Sequence, residues 1–186
     1  MNILPAAATA LLLGVGAAGA STLDFNGGTP CTSTDAFVTL STVGTATCQA
    51  TIAPTTNSGA IGIFNSGTPG AMRADFGGLV SFVSIDLGDY NADPDNIFLE
   101  VFGIDDVSLG LVDFLRPRAS FAMDTLSIAV ANISYAVFGT NAADLGFIAA
   151  DNLSYRTATV PLPAAGLLLL GGLGAFGVAA RRRKTS

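Results

Sequence analysis

Residues 126–138 read Leu-Ser-Ile-Ala-Val-Ala-Asn-Ile-Ser-Tyr-Ala-Val-Phe. Apolar side chains recur at every second position up to Val130 and again from Ile133 onward, and the pair Ala131-Asn132 separates the two runs. A period of two is that of a strand with one buried face. The stretch therefore predicts two β-strands separated by a single turn.

The same kind of pattern continues through residues 21–159, which we expect to form one all-β, jelly-roll-like β-sandwich. Residues 97–102 carry apolar side chains on both faces, interrupted by Glu100, which predicts a central strand covered on both sides. No long helical pattern or internal repeat interrupts the series. The predicted strands are Thr22–Phe25, Ala36–Ser41, Gly59–Phe64, Ala71–Phe76, Leu79–Leu87, Ile97–Phe102, Val107–Asp113, Ser120–Val130, Ile133–Phe138 and Gly146–Tyr155.

Residues 1–20 predict a cleavable signal peptide. The apolar run at 6–18 has the length of an h-region, and the small residues Ala18 and Ala20 form the peptidase site before polar sequence. The n-region carries no Lys or Arg, and the alternative is a buried apolar segment of the fold. Cleavage at this site would make Ser21 the first residue of the exported chain.

Residues 164–180 form a 17-residue run without a charge. As a helix it measures about 25 Å at ~1.5 Å per residue, the short limit for spanning a membrane. Its many glycines suit a membrane helix better than a soluble one. The alternative is a C-terminal core helix. Residues 181–184 are all basic and predict a stop on the cytoplasmic side, which places the body outside.

The C-terminal 27 residues resemble the VPLPA variant of the PEP-CTERM sorting signal, with its proline motif, apolar helix and basic cluster in the same order. The resemblance implies a Gram-negative host and an exosortase, a membrane-embedded cysteine transpeptidase-like enzyme that cuts near the proline motif and transfers the protein to an envelope or extracellular acceptor. The residues that match the motif are Val160, Pro161, Leu162, Pro163 and Ala164, and those that match the basic cluster are Arg181, Arg182, Arg183 and Lys184.

The body resembles, more loosely, the β-sandwich domains found upstream of such tails. The similarity rests on residues 83–99, residues 133–139 and the Asp151-Asn152-Leu153 run. It implies that the last strand returns beside the first strand, Leu23–Phe25, and it allows Asp24 and Asp151 to share a cation. Lectin-like and carbohydrate-binding modules use the same fold, so the resemblance leaves function open.

Charge and composition exclude several functions. All 14 acidic residues and only four of the eight basic ones lie in the body, which gives it a net charge of about −10 and disfavours nucleic acid as a partner. Histidine is absent, which excludes Ser-His-Asp triads and histidine-liganded zinc. Tryptophan is also absent, so only Tyr90, Tyr135 and Tyr155 offer amphipathic rings to sugars.

Cys31 and Cys48 are the only two cysteines. In an exported protein an even number predicts a disulfide, which would close the Thr- and Ser-rich segment between residues 29 and 56. Two free buried thiols are the alternative. A redox site is disfavoured because the two cysteines do not form a Cys-x-x-Cys pair.

The segment from residue 86 to residue 96 is the most suggestive polar cluster. Asp89, Asn91, Asp93 and Asp95 alternate, and their oxygens suit Ca²⁺. Pro94 stands where an EF-hand loop has glycine, and the distant Glu is missing. The pattern favours a turn in which these side chains cap backbone N–H groups, and a Ca²⁺ site is the alternative. Calcium is the only candidate cofactor, and the sequence does not establish it.

The sequence favours a non-catalytic envelope or extracellular-matrix protein, sorted by an exosortase and associated with exopolysaccharide. The first alternative is a carbohydrate-binding module, which an exposed tyrosine row on one sheet would favour. The second is a glycan hydrolase that uses two aspartates ~5–10 Å apart across a cleft. No catalytic residue is assigned.

Overall fold

The computed structural model describes residues 19–26, 31, 35–52, 59–64, 70–88, 94–115, 122–141 and 147–158. These residues form β-strands and turns and contain no helix, so the all-β prediction is confirmed. The strands are β1 (Ala20–Leu23), β2 (Val38–Val43), β3 (Thr47–Ile52), β4 (Gly59–Phe64), β5 (Ala71–Gly88), β6 (Asn96–Phe102), β7 (Ser108–Leu115), β8 (Met123–Ile128), β9 (Ile133–Thr140) and β10 (Phe147–Thr157).

The long strand β5 belongs to both layers of the sandwich. Its first half pairs with β2 and β9, and its second half pairs with β10 and β8. The first sheet therefore has the order β3-β4-β10-β5-β8, with β1 beside the second half of β10, and the second sheet has the order β2-β5-β9-β6-β7. The ladder with β9 shifts register between Asp75 and Val80, around the exposed pair Gly77-Gly78.

The sequence predicted two strands where the structure has β5. The reason for the difference is that Gly77 and Gly78 break the apolar alternation, whereas in the structure they occupy the bend at which one strand passes between sheets. Glycine fits such a bend because it has no side chain to pack.

The core lies between the two sheets, and its residues follow the predicted alternation except on β9, where Ala136 and Phe138 lie in the core and Tyr135 and Val137 do not. Val83, Ile85 and Leu87 of β5 are fully buried. Residues 97, 99 and 101 of β6 are also fully buried, and β6 lies between β9 and β7, as predicted for a central strand. Burial of each such side chain contributes about 1.5–3 kcal/mol.

Strand β3 was not predicted. Its exposed residues are Thr47, Gln49 and Ala50, and it lies at the edge of the first sheet. Its apolar side chains do alternate with polar ones, but Cys48 and Ala50 are small and lie in the Thr- and Ser-rich segment, so the signal is weak. Its β-branched threonines nevertheless suit the pleated backbone.

The predicted disulfide is confirmed. Cys31 and Cys48 are bonded, with their Cα atoms 5.7 Å apart. Both side chains pack against the hydrophobic core. The bond connects the segment before β2 to the edge strand β3. Within the first sheet, β3 pairs only with β4.

Candidate functional site

The outer face of the second sheet carries a group of aromatic and charged side chains from three neighbouring strands. Tyr135 of β9 lies opposite Asp75 of β5 on one side and opposite Phe102 of β6 on the other. Arg73 lies two residues before Asp75, on the same face of β5. Asp106 lies in the turn that follows β6. We call these five residues the Arg73 cluster.

Two flat groups sandwich the ring of Tyr135. The guanidinium carbon of Arg73 lies 3.6 Å from the ring centroid on one side. The Phe102 ring is stacked on the other side, with centroids 4.7 Å apart and an interplanar angle of 9°. A cation–π contact of this kind contributes about 0.5–2 kcal/mol. Stacking on both sides leaves only 7% of Tyr135 exposed.

Hydrogen bonds fix the charged members of the cluster. Arg73 donates from Nε and Nη2 to the carboxylate of Asp75 at 2.6–3.0 Å, and this hydrogen bonding raises the pKa of Arg73. The Tyr135 hydroxyl donates to Oδ1 of Asp106 at 2.9 Å. Burial raises the pKa of the Tyr135 phenol, and the bond to Asp106 raises it further. The phenol therefore stays protonated as a donor at neutral pH.

The Arg73 cluster is partly exposed to solvent, and its side chains are already held in place. The Arg73–Asp75 pair is 37% and 43% exposed, and the Phe102 side chain is partly exposed. A partly exposed ring beside fixed hydrogen-bonding groups is the combination that binds a flat, polyhydroxylated ligand. The geometry of the Arg73 cluster suits the binding of such a ligand.

Neither of the two tyrosines that the structure describes contributes to an exposed row of the kind that would have favoured a sugar-binding face. Tyr135 is buried as described, and Tyr155 is 3% exposed beneath Phe37, with its hydroxyl donating to Asp35 at 2.6 Å. Tyr90 lies outside the described residues. The partly exposed ring is instead Phe102, on a face of β6 that the sequence predicted to be covered, so the prediction of cover on both sides is wrong at this end of the strand.

A second polar group lies on β5 and β10 of the first sheet. Asp86 lies opposite Asp151, and it accepts hydrogen bonds from Thr125 Oγ1 at 2.5 Å and from Asn152 Nδ2 at 2.9 Å. Asp151 is 2% exposed and accepts from the Asn152 backbone N–H.

The first strand lies beside the last one, as the resemblance implied, because Leu23 pairs with Leu153. Asp24 is nevertheless exposed, and hydrogen bonds from Asn26 lower its pKa. Asp151 is buried. A cation shared by Asp24 and Asp151 therefore stays a prediction.

Most of the predicted calcium loop lies outside the described residues, namely Asp89, Asn91 and Asp93. The fourth ligand, Asp95, is described and is 2% exposed. It directly precedes β6. The calcium site therefore stays a prediction.

The predicted sorting residues 160–164 and 181–184 also lie outside the described residues, as does Ala18 of the predicted peptidase site. Ala20 is described and begins β1, opposite Arg156. Within the ranges that the structure describes, no helix is long and apolar enough to cross a membrane.

The C-terminal sequence bears on where the protein is located. Residues 159–184 match the family model of the PEP-CTERM protein-sorting motif. This segment is a PEP-CTERM sorting motif. The PEP-CTERM motif implies an exported protein that an exosortase processes. No curated protein matches the sequence.

Solved structures similar to the body of this chain include carbohydrate-binding modules. A family 29 module covers 76% of this chain and 94% of its own, with a TM-score of 0.51 and 15% identity. The tandem CBM22 domains of Xyn10C from Paenibacillus barcinonensis give a TM-score of 0.51 at 10% identity, over 80% of this chain and 50% of theirs. An arabinose-bound GH51 α-L-arabinofuranosidase gives 0.52 at 11% identity, over 72% of this chain and only 25% of its own. At these identities the likeness concerns the β-sandwich fold alone.

Proposed function

We propose that this protein is a non-catalytic surface protein that an exosortase sorts and that holds polysaccharide at the cell envelope or in the extracellular matrix. The observation that carries the proposal is the PEP-CTERM match at residues 159–184. In this proposal the motif is of the VPLPA type at Val160–Ala164, residues 164–180 anchor the precursor as a single transmembrane helix, and the enzyme cuts near Pro163.

The Arg73 cluster is the proposed contact with polysaccharide. Its hydrogen bonds and stacked rings hold the side chains before a ligand arrives, which lowers the entropy lost on binding. Phe102 would stack on the apolar face of a sugar ring, while Asp75 and Arg73 would bind hydroxyl groups. Because Arg73 already pairs with Asp75 and the body carries about −10 charges, an uncharged polysaccharide fits better than an acidic one.

Glycan-array binding by the mature protein, followed by calorimetry on any ligand found, tests this contact. We expect Phe102→Ala to weaken binding about tenfold, since loss of one stacking ring costs about 1–1.5 kcal/mol. Phe114→Ala is the matched control, because Phe114 is 43% exposed and lies outside the cluster. Equal binding by the two variants would move the site elsewhere, and a mature protein that binds no glycan would leave a purely structural role.

Processing at both ends is a second expectation. The intact mass of the mature protein should correspond to a chain that starts at Ser21 and has lost the residues beyond about Pro163. Material from a host that lacks an exosortase is the control and should retain residues 164–186. If the protein keeps this tail in a host that has the enzyme, exosortase sorting is wrong for this chain.

The calcium site at Asp89, Asn91, Asp93 and Asp95 remains a prediction, with a role in stability. A cation there would offset repulsion in an acidic body, and binding to the folded state alone stabilises it by about 2.7 kcal/mol at a ligand concentration of ~100 Kd. The midpoint of thermal unfolding should therefore be higher in millimolar Ca²⁺ than in chelator.

The variant Asp93→Asn should abolish that shift in midpoint. It is preferable to a change at Asp95, whose burial makes any substitution destabilising by itself. Asp113→Asn is the control, because Asp113 is an exposed acid on β7. An unchanged midpoint in the wild type would indicate that the segment is a turn without bound Ca²⁺. A shift that survives Asp93→Asn would indicate that the ion binds elsewhere, with Asp24 and Asp151 as the next candidates.

A further inference from the structure

One end of the sandwich carries both the first and the last described strand ends. Strand β1 begins at Ala20, opposite Arg156, and β10 ends at Thr157. The next residue, Ala158, donates its backbone N–H to the Leu79 carbonyl at 3.0 Å, at the bend where β5 passes between the sheets. We call this end of the sandwich the tail end.

The second sheet contributes its β6–β7 turn to the tail end. Val80 pairs with Ile133 at the start of β9, and Phe102 at the end of β6 pairs with Tyr135 just beyond that start. Residues 103–107, which follow Phe102, therefore lie at the same end as the β5 bend. The register thus groups elements that are distant in sequence.

Exposed apolar side chains collect at the tail end. Leu79 is 40% exposed, Ile104 is 80% exposed and Val107 is 54% exposed. They are three of the six large apolar residues that are exposed in the described part of the chain. Grouped exposed apolar side chains mark a contact surface more often than scattered ones do.

The length of chain beyond this end limits what the surface can meet. Only residues 159–163 separate Ala158 from the apolar run that starts at Ala164. Five extended residues span at most about 17 Å at ~3.4 Å each. The polar layer on one side of a bilayer is about 5–8 Å thick. A body tethered so closely to a membrane helix stands with its tail end at the lipid surface.

We propose that, in the precursor, the tail end rests on the interfacial layer of the membrane, with Leu79, Ile104 and Val107 in contact with lipid. The proposal rests on the membrane helix at residues 164–180 of the proposed function. Tethering keeps the surface at a high effective concentration near lipid, so a small apolar contact is sufficient.

Charges at the tail end have opposite effects on this contact. Arg156 is exposed and lies over the Phe82 ring at 4.6 Å, from where it is attracted to lipid phosphates. Asp105 and Asp106, in the β6–β7 turn, are repelled by them. Apolar insertion therefore drives the contact, and it does not require anionic lipid.

Because the chain has no tryptophan, a single introduced tryptophan reports on one position without background. The probes are Ile104→Trp at the tail end and Leu115→Trp as the matched control, which is 65% exposed at the far end of β7. Full-length precursor from a host without an exosortase is reconstituted into phosphatidylcholine vesicles with and without brominated acyl chains. Brominated lipid should lower the Ile104→Trp emission about twofold and leave Leu115→Trp unchanged.

Flotation of the vesicles distinguishes a wrong membrane contact from a wrong membrane helix. If the precursor floats with lipid and the two tryptophans are quenched equally or not at all, the membrane contact is wrong while the anchor stands. If the precursor does not float, the proposed membrane helix is wrong, and the contact that depends on it is wrong as well. Quenching of Ile104→Trp alone supports the contact.

Discussion

Replacing Gly139 with alanine is expected to destabilise the fold by about 3 kcal/mol or more, which would lower the unfolding midpoint by about 10 °C. Gly139 lies in β9 between Ala71 of β5 and Phe98 of β6. A methyl group there would overlap the carbonyl oxygen of Gly70 and would lie 2.7 Å from the Cα of Ala71. These are backbone atoms, so no side-chain rotation relieves the clash.

The same carbonyl of Gly70 also accepts a hydrogen bond from the Thr140 N–H at 2.8 Å, so moving it away would break a bond as well. Gly78→Ala is the control, since its new methyl group would meet only the Phe37 ring at 3.6 Å, an ordinary contact. We expect its effect to stay within about 0.5 kcal/mol. Urea unfolding of both variants measures the difference, and similar midpoints would show that the β5–β9 approach is less tight than described.

Loss of the Cys31–Cys48 disulfide should cost about 3 kcal/mol. The bond closes a loop with a sequence separation of 17 residues and restricts the unfolded chain accordingly. Its contribution is large here because it holds β3, an edge strand whose Thr47, Gln49 and Ala50 are exposed. Thermal unfolding with and without dithiothreitol measures the effect.

The double variant Cys31→Ala with Cys48→Ala is the control for this experiment. Its midpoint should match that of the reduced wild type and should not respond to dithiothreitol. A wild-type midpoint that is insensitive to reductant would mean that the loop is already restricted in the unfolded chain, or that packing of the two side chains against the core provides the stability.

Burial explains which strands could be predicted from sequence. Where one face packs into the core, as at Leu126 or at Val83, Ile85 and Leu87, the period of two is visible in the sequence. In strand β3 the signal is weak, because Cys48 and Ala50 are small and lie in a Thr- and Ser-rich segment. The sequence also does not show that β5 serves both sheets, since that depends on which strands pair with its two halves.

The candidate site was less predictable than the fold. Arg73, Phe102 and Tyr135 come from three strands far apart in the chain, and only the register brings them together. From the sequence, the tyrosines were the candidate exposed rings, whereas in the structure Tyr135 is covered by its neighbours. The sorting motif was predictable because its parts are contiguous, and the family match agrees with it.

The position of β10 has a consequence for export. This strand is the last of the body, yet it pairs with β1, β4 and β5 and so supplies the centre of the first sheet. A chain that emerges N-terminus first therefore cannot complete that sheet until residue 157 has appeared. Because the first strand of the body, β1, pairs with the last, β10, the contact order is high and folding is slow. The first sheet therefore cannot close until nearly the whole body has crossed the membrane. Until then the polypeptide stays unfolded enough to be translocated.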